Sequence, residues 1–178
     1  MDDLSTKIKG NITELETAVA LVRRKCGVCI PYGDRNRYDI VADVDGKLLK
    51  LQCKTSHTSD GGKTFGFKTC SVHYANGERI SVGYSPGEVD YFATVFNNKC
   101  YLVPPPSGGV PSSITLRLKQ PENNQTSGIN WAKKYEIGTV LSKVRGKMMR
   151  ECHQVDKVDN DLPIDDDRQS TGFVCNFS

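Results

Sequence analysis

The chain has 178 residues, of which 37% are hydrophobic and 25% are charged, and its formal net charge is +3. This composition is typical of a soluble protein that is long enough for one domain with its own core. No apolar run approaches the roughly 18 residues of a membrane span. The first ten residues are polar, so we expect no secretory signal and a cytoplasmic location.

Charge is unevenly distributed along the chain. Residues 151–178 hold seven acidic and two basic groups, a net charge of −5, so residues 1–150 hold 22 basic and 14 acidic groups, a net charge of +8. A domain this basic favours a polyanionic partner. We therefore predict a basic domain at 1–150, followed by an acidic and mostly disordered tail at 151–178.

The seven cysteines are predicted to be free thiols, because their number is odd and the expected compartment is reducing. Cys26 and Cys29 form the one C-x-x-C pair. A zinc site would need a second pair at similar spacing, which the sequence lacks, so small buried thiols are the better interpretation.

The first predicted helix runs from about Asn11 to Lys25. Glu14 lies at the edge of its apolar stripe and is expected to point towards the element on which the helix packs, whereas Glu16 is expected to be solvated. A carboxylate at such an edge needs a partner, a metal or water. Helical spacing defines the stripe that is predicted to be buried, which consists of Ile12, Leu15, Ala18, Val19, Val22 and Cys26.

A β-hairpin is predicted between Tyr38 and Ser56, after a short strand at 28–30 and a turn-rich connection at 31–37. The dipeptide Asp45-Gly46 is a strong hairpin turn. A loop centred on it pairs residues whose numbers sum to 91, which sets Asp39 opposite Gln52. Strand periodicity then separates a polar face (Asp39, Val41, Asp43, Lys50, Gln52, Lys54) from an apolar face (Ile40, Ala42, Leu49, Leu51, Cys53).

The remaining pattern predicts mainly short strands and then helices. With the first helix packed on one face, the order helix, strand, hairpin indicates an α/β fold. The predicted elements are a strand at 64–72, a long exposed excursion at 73–88, a hairpin at 89–104, a strand at 114–118, a helical turn at 131–135 and a basic amphipathic helix at 138–150.

Glu14, Asp39, Gln52 and Lys54 form a set suited to a divalent cation and a phosphodiester. Mg²⁺ prefers oxygen ligands from one or two carboxylates, with water and substrate phosphate completing its shell. The Lys54 ammonium would orient or activate a water molecule and offset charge that develops in the transition state. The alternative is a plain cross-strand ion pair between Asp39 and Lys54 on a solvated sheet face.

These residues carry a resemblance to a known family. The stretch from Lys9 to Glu14, PYGDRNRYD ending at Asp39, and LQCKTS with Gln52 and Lys54 resemble the PD-(D/E)XK nuclease superfamily. Within it, the chain is similar to the group I intron-encoded homing endonucleases of the cyanobacterial tRNA-intron type, which also have Gln before x-Lys. The resemblance covers about residues 7–135. It departs where the motif proline is absent, because Tyr38 holds that place, and in the tail after residue 150.

The resemblance implies a restriction-endonuclease-like mixed β-sheet and Mg²⁺-dependent cleavage of double-stranded DNA, with Mn²⁺ as a substitute. It implies that Glu14, Asp39, Gln52 and Lys54 are catalytic, that the first three bind the metal, and that the protein is a homodimer or homotetramer. The enzyme would associate with the nucleoid when bound to DNA. Alternatives on the same fold are a Holliday-junction resolvase, a restriction or repair nuclease, and a non-catalytic DNA-binding module.

Basic and aromatic residues around this set are the predicted DNA contacts. Phosphate contacts would supply salt-dependent affinity, and base contacts would supply sequence preference. The candidates are Arg35, Arg37, Ser56, Lys63, Lys68, Tyr74, Arg79 and Tyr84, while Arg117, Lys119, Lys133 and Lys134 would add backbone contacts or be ordinary surface charge.

Overall fold

The structure is a computed structural model that describes residues 4–33, 35–122 and 127–159. It has two α-helices, two short 3-10 helices (Asp60–Gly62 and Ala132–Tyr135) and ten strands. The α-helices are α1 (Thr6–Val22) and α2 (Ile137–Asp159). The strands are β1 (Gly27–Cys29), β2 (Ile40–Val44), β3 (Lys47–Cys53), β4 (His57–Ser59), β5 (Thr64–Lys68), β6 (Ser71–Ala75), β7 (Glu78–Val82), β8 (Tyr91–Phe96), β9 (Lys99–Val103) and β10 (Ser113–Arg117).

The contacts divide the chain into a larger unit, Met1–Arg145, and a smaller unit, Gly146–Ser178. The predicted division after residue 150 falls within α2, which continues to Asp159, beyond the predicted end of that helix. Most of the predicted tail lies outside the described residues, so the domain division stays a prediction. None of the described helices has the length and apolar character that a membrane span requires.

A five-stranded mixed sheet forms the centre of the larger unit. Its strand order is β1-β2-β3-β8-β9, in which β3 and β8 are parallel and the other neighbours are antiparallel. The helix α1 packs on this sheet and contacts all five of its strands. This arrangement confirms the predicted α/β class with the N-terminal helix on one face of a mixed sheet.

The β2–β3 hairpin has the predicted register. Positive φ angles at Asp45 (53°) and Gly46 (91°) make the tight turn, and Ile40 pairs with Leu51, as the sum of 91 requires. Because side chains alternate along a strand, this register settles both faces. The apolar face is buried throughout, since none of Ile40, Ala42, Leu49, Leu51 and Cys53 is more than 9% exposed.

A second sheet, with the order β10-β5-β4, contributes to an aromatic core. Phe65 on β5 stacks on Phe96 with ring centroids 4.4 Å apart, and Phe67 lies against Phe92. The burial of such rings makes a large favourable contribution to the free energy of folding. The segment predicted as one strand at 64–72 forms parts of two strands, because β5 ends at Lys68 and β6 begins at Ser71.

A two-stranded antiparallel ribbon, β6–β7 (Ser71–Val82), begins just before the predicted excursion at 73–88 and takes up most of its first part. Asn76 and Gly77 form its turn with positive φ angles. The strand β7 is exposed along its whole length. This β6–β7 ribbon is thus a solvent-facing projection with a regular backbone.

The predicted buried stripe of α1 is wrong. Ile12, Leu15, Val19 and Val22 are between 39% and 67% exposed, although Cys26, just beyond the helix, is buried as predicted. The helix instead buries a face that carries two threonines and one leucine, namely Thr13, Thr17 and Leu21.

Internal hydrogen bonds make this burial of threonine possible. The Thr13 hydroxyl donates to the Lys9 carbonyl at 2.9 Å, and the Thr17 hydroxyl donates to the Thr13 carbonyl at 2.7 Å. Buried hydroxyl groups with partners avoid most of the desolvation penalty. Of the large apolar side chains of α1, Leu21 is buried with the two threonines, whereas Ile12, Leu15, Val19 and Val22 are exposed.

Five of the cysteines are free thiols, as predicted: Cys26, Cys29, Cys53, Cys70 and Cys100. Cys26, Cys53 and Cys100 are buried, and burial raises the pKa of Cys100 to about 11. These thiols therefore act as small apolar side chains.

Candidate active site

Asp39 and Gln52 meet at the open end of the β2–β3 hairpin. The Asp39 backbone N–H donates to the Leu51 carbonyl at 2.9 Å, which continues the ladder one residue beyond β2. The Asp39 Oδ2 atom accepts from Gln52 Nε2 at 2.5 Å and from the Cys53 backbone N–H at 2.7 Å. One carboxylate oxygen is therefore fixed by two donors, and among the described residues no hydrogen bond is made to Oδ1.

Glu14 approaches the same place from α1. The Thr13 and Thr55 hydroxyls lie 3.4 Å apart and join this part of the helix to the end of β3. Burial raises the pKa of Glu14, and the negative charge of Asp39 raises it further. The Glu14 carboxyl group is therefore partly buried and within electrostatic range of Asp39. Glu14 lies at the edge of the face of α1 that is buried, which is a different face from the predicted one.

Burial dominates the electrostatics of Asp39. It raises the pKa of the carboxyl group and outweighs three lowering effects: the Cys53 hydrogen bond, the Lys54 charge and the Gln52 hydrogen bond. A divalent cation near these two carboxyl groups would favour their ionised forms.

Lys54 does not make the cross-strand ion pair that was the alternative interpretation. Its Nζ atom donates to the Cys70 carbonyl at 3.2 Å and lies 5.1 Å from the centre of the Tyr84 ring. Throughout the described ranges, no ion pair joins Lys54 to a carboxylate. Its backbone N–H donates to the Ala93 carbonyl at 2.8 Å, which fixes the residue between β3 and β8.

Two of the predicted DNA contacts, Tyr84 and Arg37, have side chains that are engaged within the protein. Tyr84 is only 7% exposed, and its ring faces Lys54 and the core instead of solvent. Arg37 lies with its guanidinium carbon 4.2 Å from the centre of that ring and pairs with Glu88 at 3.5 Å. Both side chains are engaged within the protein because they sit at the foot of the β6–β7 ribbon.

The other predicted DNA contacts fall into two groups, side chains that are exposed and side chains that already have protein partners. Tyr74, which is 72% exposed, and Arg79 are directly opposed on the β6–β7 ribbon, and Arg35 and Lys68 are exposed. Two candidates already have protein partners: Lys63 pairs with Glu122 at 2.6 Å, and the Ser56 hydroxyl donates to the Val95 carbonyl at 2.6 Å.

Sequence reasoning missed the residues that hold Lys54 and α1 in place. Thr13 and Thr55 act through hydroxyl groups, and Cys70 acts through its backbone carbonyl. Every residue has a backbone carbonyl, so the identity of residue 70 does not reveal this contact. Only the spacing of Thr13 and Thr17 along one helical face could have indicated a polar packing surface.

Comparisons with known proteins point in one direction. A family model described as PD-(D/E)XK endonuclease matches residues 4–138. Among curated proteins none gives a significant match. The solved structure of a bacterial homing endonuclease, I-Ssp6803I, superposes with a TM-score of 0.64 at 24% identity, covering 83% of this chain and 99% of that chain. At that identity the likeness is one of fold, and it confirms the restriction-endonuclease-like sheet.

Proposed function

The chain belongs to the PD-(D/E)XK endonuclease family, and from this membership we propose that it is a divalent-metal-dependent endonuclease that hydrolyses phosphodiester bonds in double-stranded DNA. The observation that carries the proposal is the cluster at the end of the β2–β3 hairpin, where Gln52 donates to Asp39 and Lys54 follows on the same strand face. Glu14 on α1 is partly buried, and the charge of Asp39 raises its pKa. Metal and phosphodiester chemistry needs this combination of groups.

Glu14, Asp39 and Gln52 are the residues that would hold the ion. Two carboxylates and a carboxamide oxygen are hard ligands that suit Mg²⁺, with Mn²⁺ as a substitute. When bound, the ion polarises a phosphoryl oxygen and lowers the pKa of a water molecule. Gln52 now presents Nε2 to Asp39, so its amide would have to rotate to offer Oε1 as a ligand.

The residues of the chain supply positioning and charge. The Cys53 N–H holds Oδ2 of Asp39, which leaves Oδ1 available. The Lys54 ammonium has no carboxylate partner among the described residues, so its charge is available to the phosphodiester. It would offset the negative charge that develops on the transferred phosphoryl group and orient the attacking water.

The β6–β7 ribbon is the proposed DNA-reading element. A two-stranded ribbon fits the major groove of B-form DNA, where base edges can be distinguished. Tyr74 and Arg79 would face the DNA from this ribbon, and Arg35 and Lys68 would contact phosphates. Ser56 and Lys63 stay within this proposed surface as secondary contacts.

A plasmid-cleavage assay tests the activity directly. We expect the protein to linearise or degrade supercoiled DNA with Mg²⁺ or Mn²⁺, and a chelator to abolish cleavage. Intact DNA at saturating protein and metal would overturn the proposal. Loss of cleavage in a Lys54→Ala variant would link the activity to this site and exclude a contaminating nuclease.

We further propose that the enzyme is a site-specific homing endonuclease. The support is the fold shared with the bacterial homing endonuclease I-Ssp6803I, together with the exposed ribbon that could read a long site. Sequencing the ends cut from a randomised plasmid library tests this. One long target is expected, whereas frequent short sites would indicate a restriction or repair nuclease and preferred cleavage of branched DNA a resolvase.

A non-catalytic DNA-binding module is the second candidate, because an amide at Gln52 removes one charge from the metal site and already occupies Oδ2 of Asp39. Calorimetric titration with Mg²⁺ separates the two candidates. Metal binding that strengthens DNA affinity is expected for the enzyme, whereas no metal binding and metal-independent DNA affinity would favour the module.

The protein is proposed to associate with a second copy of itself through α1. The exposed side chains Ile8, Ile12, Leu15, Val19 and Val22 are spaced by four, three, four and three residues. This is the spacing of a two-helix seam. Five large apolar side chains along about 21 Å of helix form a patch that a monomer rarely leaves in water.

Charge complementarity indicates how the second copy would lie. Lys9 and Glu16 each follow a seam residue by one position and so flank the same side of the stripe. In an antiparallel pairing centred between Ile12 and Leu15, Lys9 of each copy would face Glu16 of the other, which makes two ion pairs at once. A homodimer, or a homotetramer built from two such dimers, would result.

We also propose that residues 1–150 form the nuclease domain and 151–178 an acidic tail, and that the protein works in the cytoplasm at the nucleoid. Limited proteolysis would test the first statement, since rapid trimming should stop near the end of the domain. Fluorescence microscopy of a tagged chain would test the second.

A further inference from the structure

The foot of the β6–β7 ribbon lies against the lysine of the candidate active site. The chain enters the ribbon through Cys70 and leaves it through Gly83 and Tyr84. Both passages contact Lys54: its Nζ atom donates to the Cys70 carbonyl at 3.2 Å and lies 5.1 Å from the centre of the Tyr84 ring. A cation within about 6 Å of an aromatic centroid is attracted to the ring.

The Tyr84 ring is itself held firmly. Its edge packs against Phe92 at 5.2 Å between centroids and nearly perpendicular, and it belongs to the buried aromatic core. Its hydroxyl lies 3.1 Å from the Ser71 hydroxyl, at the first residue of β6. The ring is therefore a fixed surface for the lysine and not a mobile neighbour.

Arg37 completes the cluster from the segment that leads into Asp39. Its Nη1 atom donates to the Ser71 hydroxyl at 3.2 Å and its Nη2 atom donates to the Gly83 carbonyl. Its guanidinium carbon lies 4.2 Å from the centre of the Tyr84 ring. Arg37 thus ties both ends of the ribbon together and orients the ring that Lys54 contacts.

We propose, on the basis of the function proposed above, that Tyr84 is a positioning residue for Lys54, and that Ser71 and Arg37 orient its ring. The negative face of the ring holds the ammonium group at the hairpin end without neutralising it, as a carboxylate partner would. Lys54 therefore keeps its full charge for the phosphodiester. It is held by the foot of the element that is proposed to contact DNA.

The test is single-turnover cleavage at saturating DNA and metal. A trifluorinated phenylalanine at position 84 keeps the shape of the ring and removes most of its attraction for cations. We expect the cleavage rate to fall between about twofold and 30-fold, the range that a cation–π contact supplies. Tyr84→Phe keeps the ring face and loses only the contact with the Ser71 hydroxyl, so it is the matched reference for the fluorinated ring and should cleave faster than the fluorinated variant. DNA affinity should be the same for all three proteins.

A double-mutant cycle separates positioning from a structural role. In a Lys54→Met background, the fluorinated ring should have no further effect on the residual rate, because the residue through which it acts is gone. Equal cleavage rates for wild type and the fluorinated variant would overturn the inference. So would a rate loss of the same size in the Lys54→Met background.

A readout that does not need activity distinguishes failure of this inference from failure of the proposed function. The ε-methylene protons of Lys54 should show an upfield ring-current shift in the NMR spectrum, which a Tyr84→Leu variant abolishes. If wild-type protein does not cleave DNA, the proposed function fails while this shift still decides the position of the lysine. Absence of the shift in the wild-type protein overturns the inference.

Discussion

Gln52 donates from Nε2 to Oδ2 of Asp39 at 2.5 Å. A carboxylate at position 52 would instead repel the Asp39 carboxylate. The amide stabilises the metal-free site, because its hydrogen bond to the Asp39 carboxylate opposes the effect of burial, which raises the pKa of that group. It would also have to rotate before Gln52 could act as a metal ligand. The same residue therefore links the stability of the free protein to its affinity for metal.

Replacing Gln52 with Glu should lower the stability of the metal-free protein and raise its affinity for Mg²⁺. Without metal, the free energy of unfolding should fall by about 1–3 kcal/mol, because a hydrogen bond to a charged group is lost and a carboxylate faces Asp39. Affinity for Mg²⁺ should rise by roughly tenfold or more, since the ligand charge increases. Urea unfolding and calorimetry measure the two effects. A Gln52→Met control should lose metal affinity, and unchanged affinity in Gln52→Glu would contradict the ligand assignment.

Glu14→Gln should remove a pH-dependent loss of stability. The folded pKa of Glu14 lies above its ordinary value, so the folded protein binds more protons than the unfolded chain within that interval. The contribution of Glu14 to the free energy of unfolding is therefore fully present below its ordinary pKa and is lost as the pH rises through its raised pKa. In metal-free buffer, Glu14→Gln should melt higher than wild type at pH 7 and equally with it in acid.

Thermal melts across pH, with and without Mg²⁺, check this expectation. With Mg²⁺ present the order should reverse at pH 7, because the wild-type carboxylate gains a metal partner that Gln does not replace. Glu78→Gln, on the exposed strand β7, is the control and should melt with wild type both with and without Mg²⁺. A wild-type protein that melts higher than Glu14→Gln without metal would refute the assignment.

Lys54→Met should slow cleavage by about 100-fold or more, the usual loss when one charge-stabilising donor is removed from a transition state. DNA affinity should change little, because one ammonium is a small part of the basic surface. Lys50→Met is a matched control on the same strand face, where Nζ donates to the Gly87 carbonyl outside the candidate site. Single-turnover kinetics compare the three proteins. Comparable losses in both variants would indicate a general effect of charge.

Arg79→Ala should weaken DNA binding and reduce its dependence on salt. If Arg79 contacts one phosphate, the slope of log affinity against log salt should become shallower by about 1. Lys99→Ala is the control, because Lys99 lies at the start of β9 and pairs with Glu136 at 3.0 Å. Binding isotherms at several salt concentrations decide the matter. An unchanged slope in Arg79→Ala would remove the ribbon from the proposed interface.

Leu15→Lys should weaken self-association by at least about tenfold, or roughly 1.4 kcal/mol, because Leu15 lies at the middle of the exposed stripe and is 67% exposed in one copy. Sedimentation velocity gives the mass of the assembly. Lys9→Glu should also weaken it, and the double variant Lys9→Glu with Glu16→Lys should restore it. Lys7→Ala, also exposed on α1, is the control. A wild-type monomer at high concentration would rule out the α1 interface.

The sequence by itself determined the hairpin and therefore half of the candidate site. The Asp45-Gly46 turn accepts positive φ angles, which sets the register, and strand periodicity then places Asp39 opposite Gln52. The short Asn97-Asn98 turn predicted the β8–β9 hairpin in the same way. These features depend on residues close together in the chain, so local rules suffice.

Only the tertiary structure decided which face of α1 is buried and what surrounds Lys54. Periodicity marks a face that avoids water, but it does not say whether the sheet or another molecule covers it. Threonines with internal hydrogen bonds made the opposite face of α1 the packing surface. The Tyr84 ring reaches Lys54 because the β6–β7 ribbon brings residues distant in sequence together. Contacts at that separation depend on the packing of the whole domain, which local patterns do not encode.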